Sequence, residues 1–189
     1  MTHYRGGFHP ANDPARRQWQ DPEAILQTIG LKAGISFADI GCGAGFFALP
    51  AARIVGPKGM VYGVDVNPAS IGALGEEAAL EGLKNLTLSI GKAENYLPCE
   101  MCADIVFFGI VLHDFEDPAK VLRNARRIVK PGGKLIDLDW KKEGVPFGPP
   151  AHIKFDEAKA SKLIKDAGFK VVSVDSTGNY HYLITSKPI

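Results

Sequence analysis

One glycine-rich segment does most to limit what this chain can fold into. Residues 38–47 read ADIGCGAGFF. A buried strand ending at Ile40, three glycines within five residues and a helix from Phe46 onward predict a sharp turn where a ligand lies against bare backbone. The next strand, Met60–Val66, presents Asp65 at its end, where an acid can accept hydrogen bonds from both hydroxyls of a ribose. This order of elements predicts an α/β fold with a nucleotide-type site.

The spacing of the glycines separates two classes of cofactor. A dinucleotide turn has the form G-x-G-x-x-G and needs a glycine where this chain has Phe46. The form (D/E)-x-G-x-G-x-G, running from Asp39 to Gly45, resembles motif I of the class I S-adenosylmethionine (SAM) dependent methyltransferases. The resemblance implies SAM as the cofactor. The residues that it places at the cofactor site are Asp39, Gly41, Cys42, Gly43, Gly45, Asp65 and Val66.

Further segments extend the resemblance over roughly residues 25–187. Residues 91–98, GKAENYLP, are similar to the segment that lines the adenine, which implies contacts from Ala93 and Glu94. Lys92 stands where that family usually has an acid, and a lysine cannot accept a hydrogen bond, so Glu94 or a backbone carbonyl would serve instead. Residues 109–115 resemble the segment under the methionine portion, which implies Gly109. The nearest resemblance is to the small type 11 subgroup.

Strand and helix signals alternate along the chain, which favours a parallel sheet with helices on both faces. We predict an α/β, Rossmann-like, seven-stranded, mostly parallel sheet with an antiparallel last strand. A short helix is expected over residues 23–29, the helix after the glycine turn over about residues 44–55, and the fifth strand over residues 134–140, after a Pro-Gly-Gly turn. The predicted organisation is an N-terminal arm, residues 1–20, followed by a single domain, residues 21–189.

Methyl transfer itself requires mainly that the two reactants be held in line. A general base is needed only where the nucleophile arrives protonated. His113 follows the fourth predicted strand, where ligands collect in such sheets, so it is the predicted catalytic or substrate-orienting residue. Trp140 and His181 are predicted at the substrate site, with packing in the core as their alternative role. Asp114, Asp139 and His152 are further base candidates.

The N-terminal arm mixes aromatic and basic residues: Tyr4, Phe8, His9, Arg16, Arg17 and Trp19. In the family that the chain resembles, the N-terminus often closes over the cofactor, so the arm is predicted to act as a lid. The alternative is a partly disordered tail.

Composition gives no case for a charged partner. The net charge is +1 and no apolar run approaches a membrane span, so we expect no nucleic-acid or membrane partner and a cytoplasmic location, also because the N-terminus lacks a signal-peptide stretch. The three cysteines predict no metal site, and the pair Cys99 and Cys102 is interpreted as ordinary turn residues, with a redox pair or a local disulfide as alternatives.

The predicted function is methyl transfer from SAM to a small-molecule acceptor. An NAD(P)-binding oxidoreductase of Rossmann type is the alternative, and a SAM-binding module without catalysis is a third possibility. The sequence does not indicate the acceptor atom or the oligomeric state.

Overall fold

The computed structural model describes residues 13–189. The strands are β1 (Ser36–Ile40), β2 (Met60–Asp65), β3 (Leu86–Ile90), β4 (Ala103–Gly109), β5 (Val129–Trp140), β6 (Phe169–Thr177) and β7 (His181–Pro188). They form one seven-stranded sheet in the order β3-β2-β1-β4-β5-β7-β6. Strand β7 pairs antiparallel with both β5 and β6, while β1–β5 pair in parallel, so the predicted sheet is confirmed.

Six α-helices accompany the sheet within the described residues, together with a 3-10 turn over Leu112–Asp114. Two hydrophobic clusters, one on each face of the sheet, hold these helices in place. Phe37 and Phe107 pack with α2–α4 on one face, and Phe108 packs with α5 and α6 on the other. The helices are α1 (Pro14–Arg17), α2 (Pro22–Thr28), α3 (Ala48–Val55), α4 (Pro68–Leu80), α5 (Pro118–Ile128) and α6 (Glu157–Asp166).

Several helices begin at an Asp-Pro or Asn-Pro pair, because the side chain caps the first turn and the proline needs no amide partner there. The Asn67 Oδ1 accepts the Ala69 amide at 3.0 Å. The Asp117 Oδ1 accepts the Lys120 amide at 2.9 Å. These caps start α4 and α5 shortly after β2 and β4, so the carboxyl ends of those strands stay close to the loops that carry the predicted site.

Two predicted boundaries are wrong. Helix α3 begins at Ala48 and not at residue 44, because the positive φ of Gly45, +95°, keeps the chain in the turn. Strand β5 begins at Val129 and not at residue 134. The register moves from the pair Ala103 and Val129 to the pair Ile105 and Lys134, so a bulge absorbs the Pro-Gly-Gly residues within the strand.

The structure joins Cys99 and Cys102 in a local disulfide, so the interpretation of these residues as ordinary turn cysteines is corrected in favour of one of its alternatives. Cys42 is a buried free thiol. Within residues 13–189, no helix combines the length and hydropathy needed to cross a bilayer. The same part of the chain contains no group of three or more His, Cys, Asp or Glu side chains arranged to hold a metal ion.

Candidate cofactor and acceptor site

The three glycines after β1 are needed at their positions for different physical reasons. Gly41, Gly43 and Gly45 all have positive φ, at +80°, +53° and +95°. A Cβ on Gly43 would meet nothing within 4 Å, whereas a Cβ on Gly41 would lie 2.7 Å from Val111 and one on Gly45 would lie 2.3 Å from Leu74. Open space therefore borders the turn at Gly43. Packing against Leu74 is sufficient to require Gly45, and its contact with the cofactor stays a prediction.

Asp65 ties the glycine turn to the end of β2. Its Oδ2 accepts the Gly43 amide at 2.8 Å, and its Oδ1 accepts the Asn67 amide at 2.9 Å. A carboxylate has about four acceptor positions, so each oxygen keeps capacity for a hydroxyl donor. Asp65 is partly exposed and Val66 is 59% exposed, so this end of β2 is open to a ligand.

Asp39 is an unusual buried acid. Its side chain lies at the end of β1 with 2% exposure, and its Oδ2 has no hydrogen-bond partner. Burial and the nearby charge of Asp65 raise the pKa of Asp39 to about 7, and the guanidinium of Arg16 opposes the rise. A buried polar atom without a partner is rare in folded proteins, so this oxygen is suited to a ligand that carries a donor. The Cys42 side chain, unlike that of Asp39, packs within the fold, because its sulfur lies against Gly63 of β2.

His113 and Asp139 form a buried pair at the carboxyl ends of β4 and β5. The His113 Nδ1 lies 2.8 Å and 2.9 Å from the two carboxylate oxygens of Asp139. Its Nε2 lies 3.5 Å from Asp114 Oδ1. Burial lowers the pKa of His113, but the hydrogen bond to Asp139 and the charges of Asp139 and Asp114 outweigh it, so the net pKa is raised. A proton on Nδ1 donates to Asp139, which leaves Nε2 as the acceptor.

An aromatic cluster lies at the junction of the arm, β5 and β7; it consists of Trp19, Trp140, Phe147, Tyr180 and His181. The Trp140 and His181 ring centroids are 4.5 Å apart, and Trp19 stacks on His181 at 5.5 Å. Phe147 lies 5.3 Å from Trp19. The His181 Nε2 has no partner, and burial, assisted by Arg16, Lys141 and Lys154, lowers the pKa of this ring to about 4. His181 is therefore neutral at physiological pH, and its role at the substrate site stays a prediction.

Comparisons with known proteins place this geometry in a family. Residues 31–184 match the family model described as a methyltransferase domain. The crystal structure of a SAM-dependent methyltransferase from Aquifex aeolicus superimposes with a TM-score of 0.88, at 33% identity over 94% of this chain and 95% of that chain. The chain belongs to the SAM-dependent methyltransferases. A type 11 methyltransferase structure from Sulfolobus solfataricus, 25% identical over 90% of this chain and 93% of that chain, superimposes with a TM-score of 0.72.

A curated relative of this methyltransferase is demethylmenaquinone methyltransferase from Geobacillus sp. (strain WCH70). It is 32% identical over 125 residues, which are 66% of this chain and 53% of the relative. The chain spans about half the length of the curated relatives that it matches first. These family matches support SAM and give no support to the alternative of an NAD(P)-dependent oxidoreductase.

The residues at the carboxyl edge of the sheet fit SAM, the cofactor of this family. Gly43 leaves open space beside bare backbone, Asp65 offers acceptors for ribose hydroxyls, and Asp39 holds an oxygen without a partner. Gly109 fits less directly. A Cβ on Gly109 would lie 2.9 Å from the Phe47 ring, so packing between β4 and the glycine turn explains this residue.

The segment predicted to line the adenine is fixed against α5. The Glu94 Oε1 accepts the Glu116 amide at 3.1 Å, and the carbonyl of Ala93 accepts the Asn124 Nδ2 at 2.8 Å. Lys92 pairs with Glu116 on the surface at 2.9 Å. One carboxylate oxygen of Glu94 is thus used in a hydrogen bond to the loop before α5. The contact of this segment with adenine stays a prediction.

Sequence reasoning named Asp139 and His113 separately but considered only Asp114 as the partner of His113. The strand pairing carries the missing signal. Gly109 of β4 lies opposite Leu138 of β5, so the residues that follow each strand end meet at one edge. Lys154 was missed as well: it is buried, with its Nζ 5.4 Å from a Trp140 ring centroid. His152 lies exposed on its loop, while Tyr4, Phe8 and His9 fall outside the described residues.

Proposed function

We propose that this chain transfers the methyl group of SAM to a small-molecule acceptor, with His113 as the general base. The observation that carries the proposal is the buried pair of His113 and Asp139 beside the glycine turn. Val111, two residues before His113, lies against Gly41, so the 3-10 turn that carries the base adjoins the cofactor turn. Base and cofactor site therefore share one edge of the sheet.

SAM supplies a methyl group on a sulfonium, which a nucleophile takes by attack opposite the leaving sulfur. The chain has to orient the acceptor and remove its proton. An acceptor hydroxyl or thiol would give its proton to His113 Nε2 as the bond to the methyl carbon forms. Asp139 accepts a hydrogen bond from the Nδ1–H group, which holds the ring in place and stabilises the imidazolium.

The aromatic cluster supports a flat, largely apolar acceptor. Trp140 and His181 would form the wall of its site, and Trp19 of the arm would cover it. The relatives named demethylmenaquinone methyltransferase act, by their name, on a small molecule. A net charge of +1 gives no reason to expect nucleic acid as a partner. The proposal also includes the cytoplasmic location that the sequence predicts.

The first test is calorimetry with SAM on the wild-type chain and on Asp65→Ala. Micromolar binding that collapses in the variant supports the cofactor site. The second test mixes enzyme and SAM with phenols, naphthols, thiols, amines and arsenite and measures the release of S-adenosylhomocysteine (SAH). Turnover with a hydroxyl or thiol acceptor supports the proposal. Binding of NADH without binding of SAM would overturn the cofactor, and SAM binding without turnover across the panel would count against catalysis.

A further inference from the structure

Lys154 is a buried lysine on the loop between β5 and α6. The residue is 5% exposed, and its Nζ lies 5.4 Å from the centroid of a Trp140 ring. Within the part of the chain that the structure describes, this Nζ makes no hydrogen bond and no ion pair. The face of an indole ring attracts an ammonium but does not neutralise it. Because a buried cation is normally paired, Lys154 is suited to an anion that the fold itself does not provide.

Two acids in this region already have other partners. Asp139, whose charge acts on Lys154, lies 2.8 Å from the His113 Nδ1 and accepts a backbone amide at 2.7 Å. Asp156, two residues further along the chain than Lys154, pairs with Lys142 at 3.7 Å. Neither carboxylate is therefore used to neutralise the Lys154 ammonium.

The charge of Lys154 acts on both parts of the proposed acceptor site. It acts to lower the pKa of His113, the proposed base, and the pKa of His181, at the aromatic wall. The Trp140 ring joins these groups, because it contacts the His181 ring, at 4.5 Å between centroids, as well as the Lys154 Nζ. A base, a flat aromatic wall and an unpaired cation thus adjoin one another at the carboxyl edge of the sheet.

This arrangement suits a single negative charge. Lys141, the other lysine that acts on His181, donates to the carbonyls of Gly178 and Asn179 at 3.4 Å and 3.5 Å, so its amine is already engaged. A phosphate group carries about two charges and three acceptor oxygens, more than one ammonium satisfies. A carboxylate carries one charge and lies flat when it is conjugated to an aromatic ring, so it fits against the same wall as the ring.

We infer that the methyl acceptor is an aromatic hydroxy acid, whose carboxylate binds Lys154 while its ring hydroxyl faces His113. The inference rests on the proposed function, because it names the substrate class of the same site. During transfer the bond from the hydroxyl oxygen to the methyl carbon forms and the methyl–sulfur bond breaks, so the sulfur keeps the electron pair. The hydroxyl proton passes to the His113 Nε2, the carboxylate is unchanged, and the products are a methyl ether and SAH.

The test measures kcat/KM, by release of SAH, for hydroxybenzoates and hydroxynaphthoates and for the corresponding carboxamides, which keep the shape without the charge. We expect the wild type to prefer the acids by roughly 10- to 100-fold, as for a hydrogen bond to a charged group. Lys154→Met keeps an aliphatic stem against Trp140 without the ammonium. It should lose this preference and methylate the carboxamides within about twofold of the wild-type rate. Lys154→Glu should reverse the preference, toward phenols that carry an aminomethyl group in place of the carboxylate.

Lys159→Met is the matched control, because the Lys159 Nζ also lies over an aromatic ring, that of Phe155 at 3.7 Å, but this lysine is exposed to solvent. It should retain the wild-type preference for the acids. Equal losses on acids and carboxamides in Lys154→Met would assign Lys154 to the fold. A wild type that methylates the carboxamides as well as the acids would overturn the inference.

Failure of the proposed function has a different signature. Calorimetry on the complex of the enzyme with SAH measures the binding of the same acids and carboxamides without turnover. If no compound is methylated, but the acids bind and Lys154→Met weakens them roughly 10- to 100-fold, the carboxylate site stands and catalysis fails. If carboxamides or simple phenols are methylated and no acid binds the complex, the proposed function stands and the inference fails.

Discussion

The two ends of the carboxyl edge of the sheet are built in different ways. On the β1–β2 side, the site consists mainly of contacts to backbone amides, such as those of Asp65 with Gly43 and Asn67. On the β4–β5–β7 side, it consists of contacts between side chains, such as that of His113 with Asp139. The cofactor side can be shared by many proteins with one motif, whereas the acceptor side depends on which side chains the topology brings together. We expect acceptor choice to vary through the second side alone.

The largest effect is expected from a substitution that removes the base on the acceptor side and leaves the cofactor side intact. His113→Gln should lower kcat by about 10²- to 10⁴-fold, because it removes the proposed base. SAH affinity, measured by calorimetry, should stay within about twofold of the wild type, since the ring belongs to the acceptor side. The exposed His152→Gln is the matched control and should retain full activity. A His113→Gln enzyme with normal kcat would refute the assignment of the base.

Asp139→Asn tests the role of His113 as a base through the pH dependence of the rate. Asp139 raises the pKa of His113, and the base works as the neutral ring, so the wild-type rate should fall as the pH falls through a pKa above 6.5. Removing the charge of Asp139 should shift this fall to lower pH and reduce the maximal rate. The measurement is kcat/KM against pH for both proteins. An unchanged profile would mean that Asp139 has only a packing role.

The next largest effect is expected on the cofactor side, in the affinity for SAH. Asp65→Ala should weaken SAH binding by about 100-fold, because charged hydrogen bonds contribute about 1.5–3 kcal/mol each and the turn also loses its anchor at Gly43. Asp104→Asn is the control: Asp104 pairs with Lys130 at 2.8 Å at the opposite end of the sheet. It should leave SAH affinity unchanged, and a loss equal to that of Asp65→Ala would show that both variants act through the fold.

The same division separates the features that the sequence predicts from those that it does not. The mostly parallel, seven-stranded sheet was predictable from the alternation of strand and helix signals and from the family resemblance. The caps at Asn67 and Asp117 were predictable because each capping side chain stands directly before a proline. The partner of His113 was not, since it needs the register between β4 and β5, and the stacking of Trp19 on His181 was not, since it joins the arm to β7. Bulge and turn lengths at β5 and α3 escaped prediction because glycine permits several backbone paths.

Within the glycine turn, two substitutions should separate ligand contact from packing. Gly45→Ala would place a methyl 2.3 Å from Leu74, so we expect a loss of about 1–3 kcal/mol in the free energy of unfolding. Gly43→Ala meets no neighbour and carries only the cost of its positive φ, of order 1 kcal/mol, yet it should weaken SAH binding more per unit of stability lost. Thermal unfolding and calorimetry measure the two quantities. Equal ratios of affinity loss to stability loss would contradict the distinction.

The smallest expected effect is a pH dependence of binding that originates at Asp39. The groups that face it are Asp65 from β2, Arg16 from the arm and the buried thiol of Cys42. With its pKa raised to about 7, Asp39 holds a proton below that pH, and only the ionised form would attract the positively charged amino group that SAM and SAH carry. SAH affinity should therefore fall by about tenfold per pH unit below 7. Asp39→Asn should bind more weakly and show no such slope, whereas the same slope in that variant would assign it to another group.

The same raised pKa acts on stability with the opposite sign. Between about pH 4 and pH 7 the folded protein keeps the Asp39 proton that the unfolded chain, in which this carboxyl has its ordinary pKa of 3.8, gives up. The free energy of unfolding contributed by this group must then decrease as the pH rises through that window. Asp39→Asn should flatten this decrease in urea titrations at several pH values. Rising pH thus strengthens cofactor binding while it weakens the free protein, as expected if burial of this acid serves the ligand and not the fold.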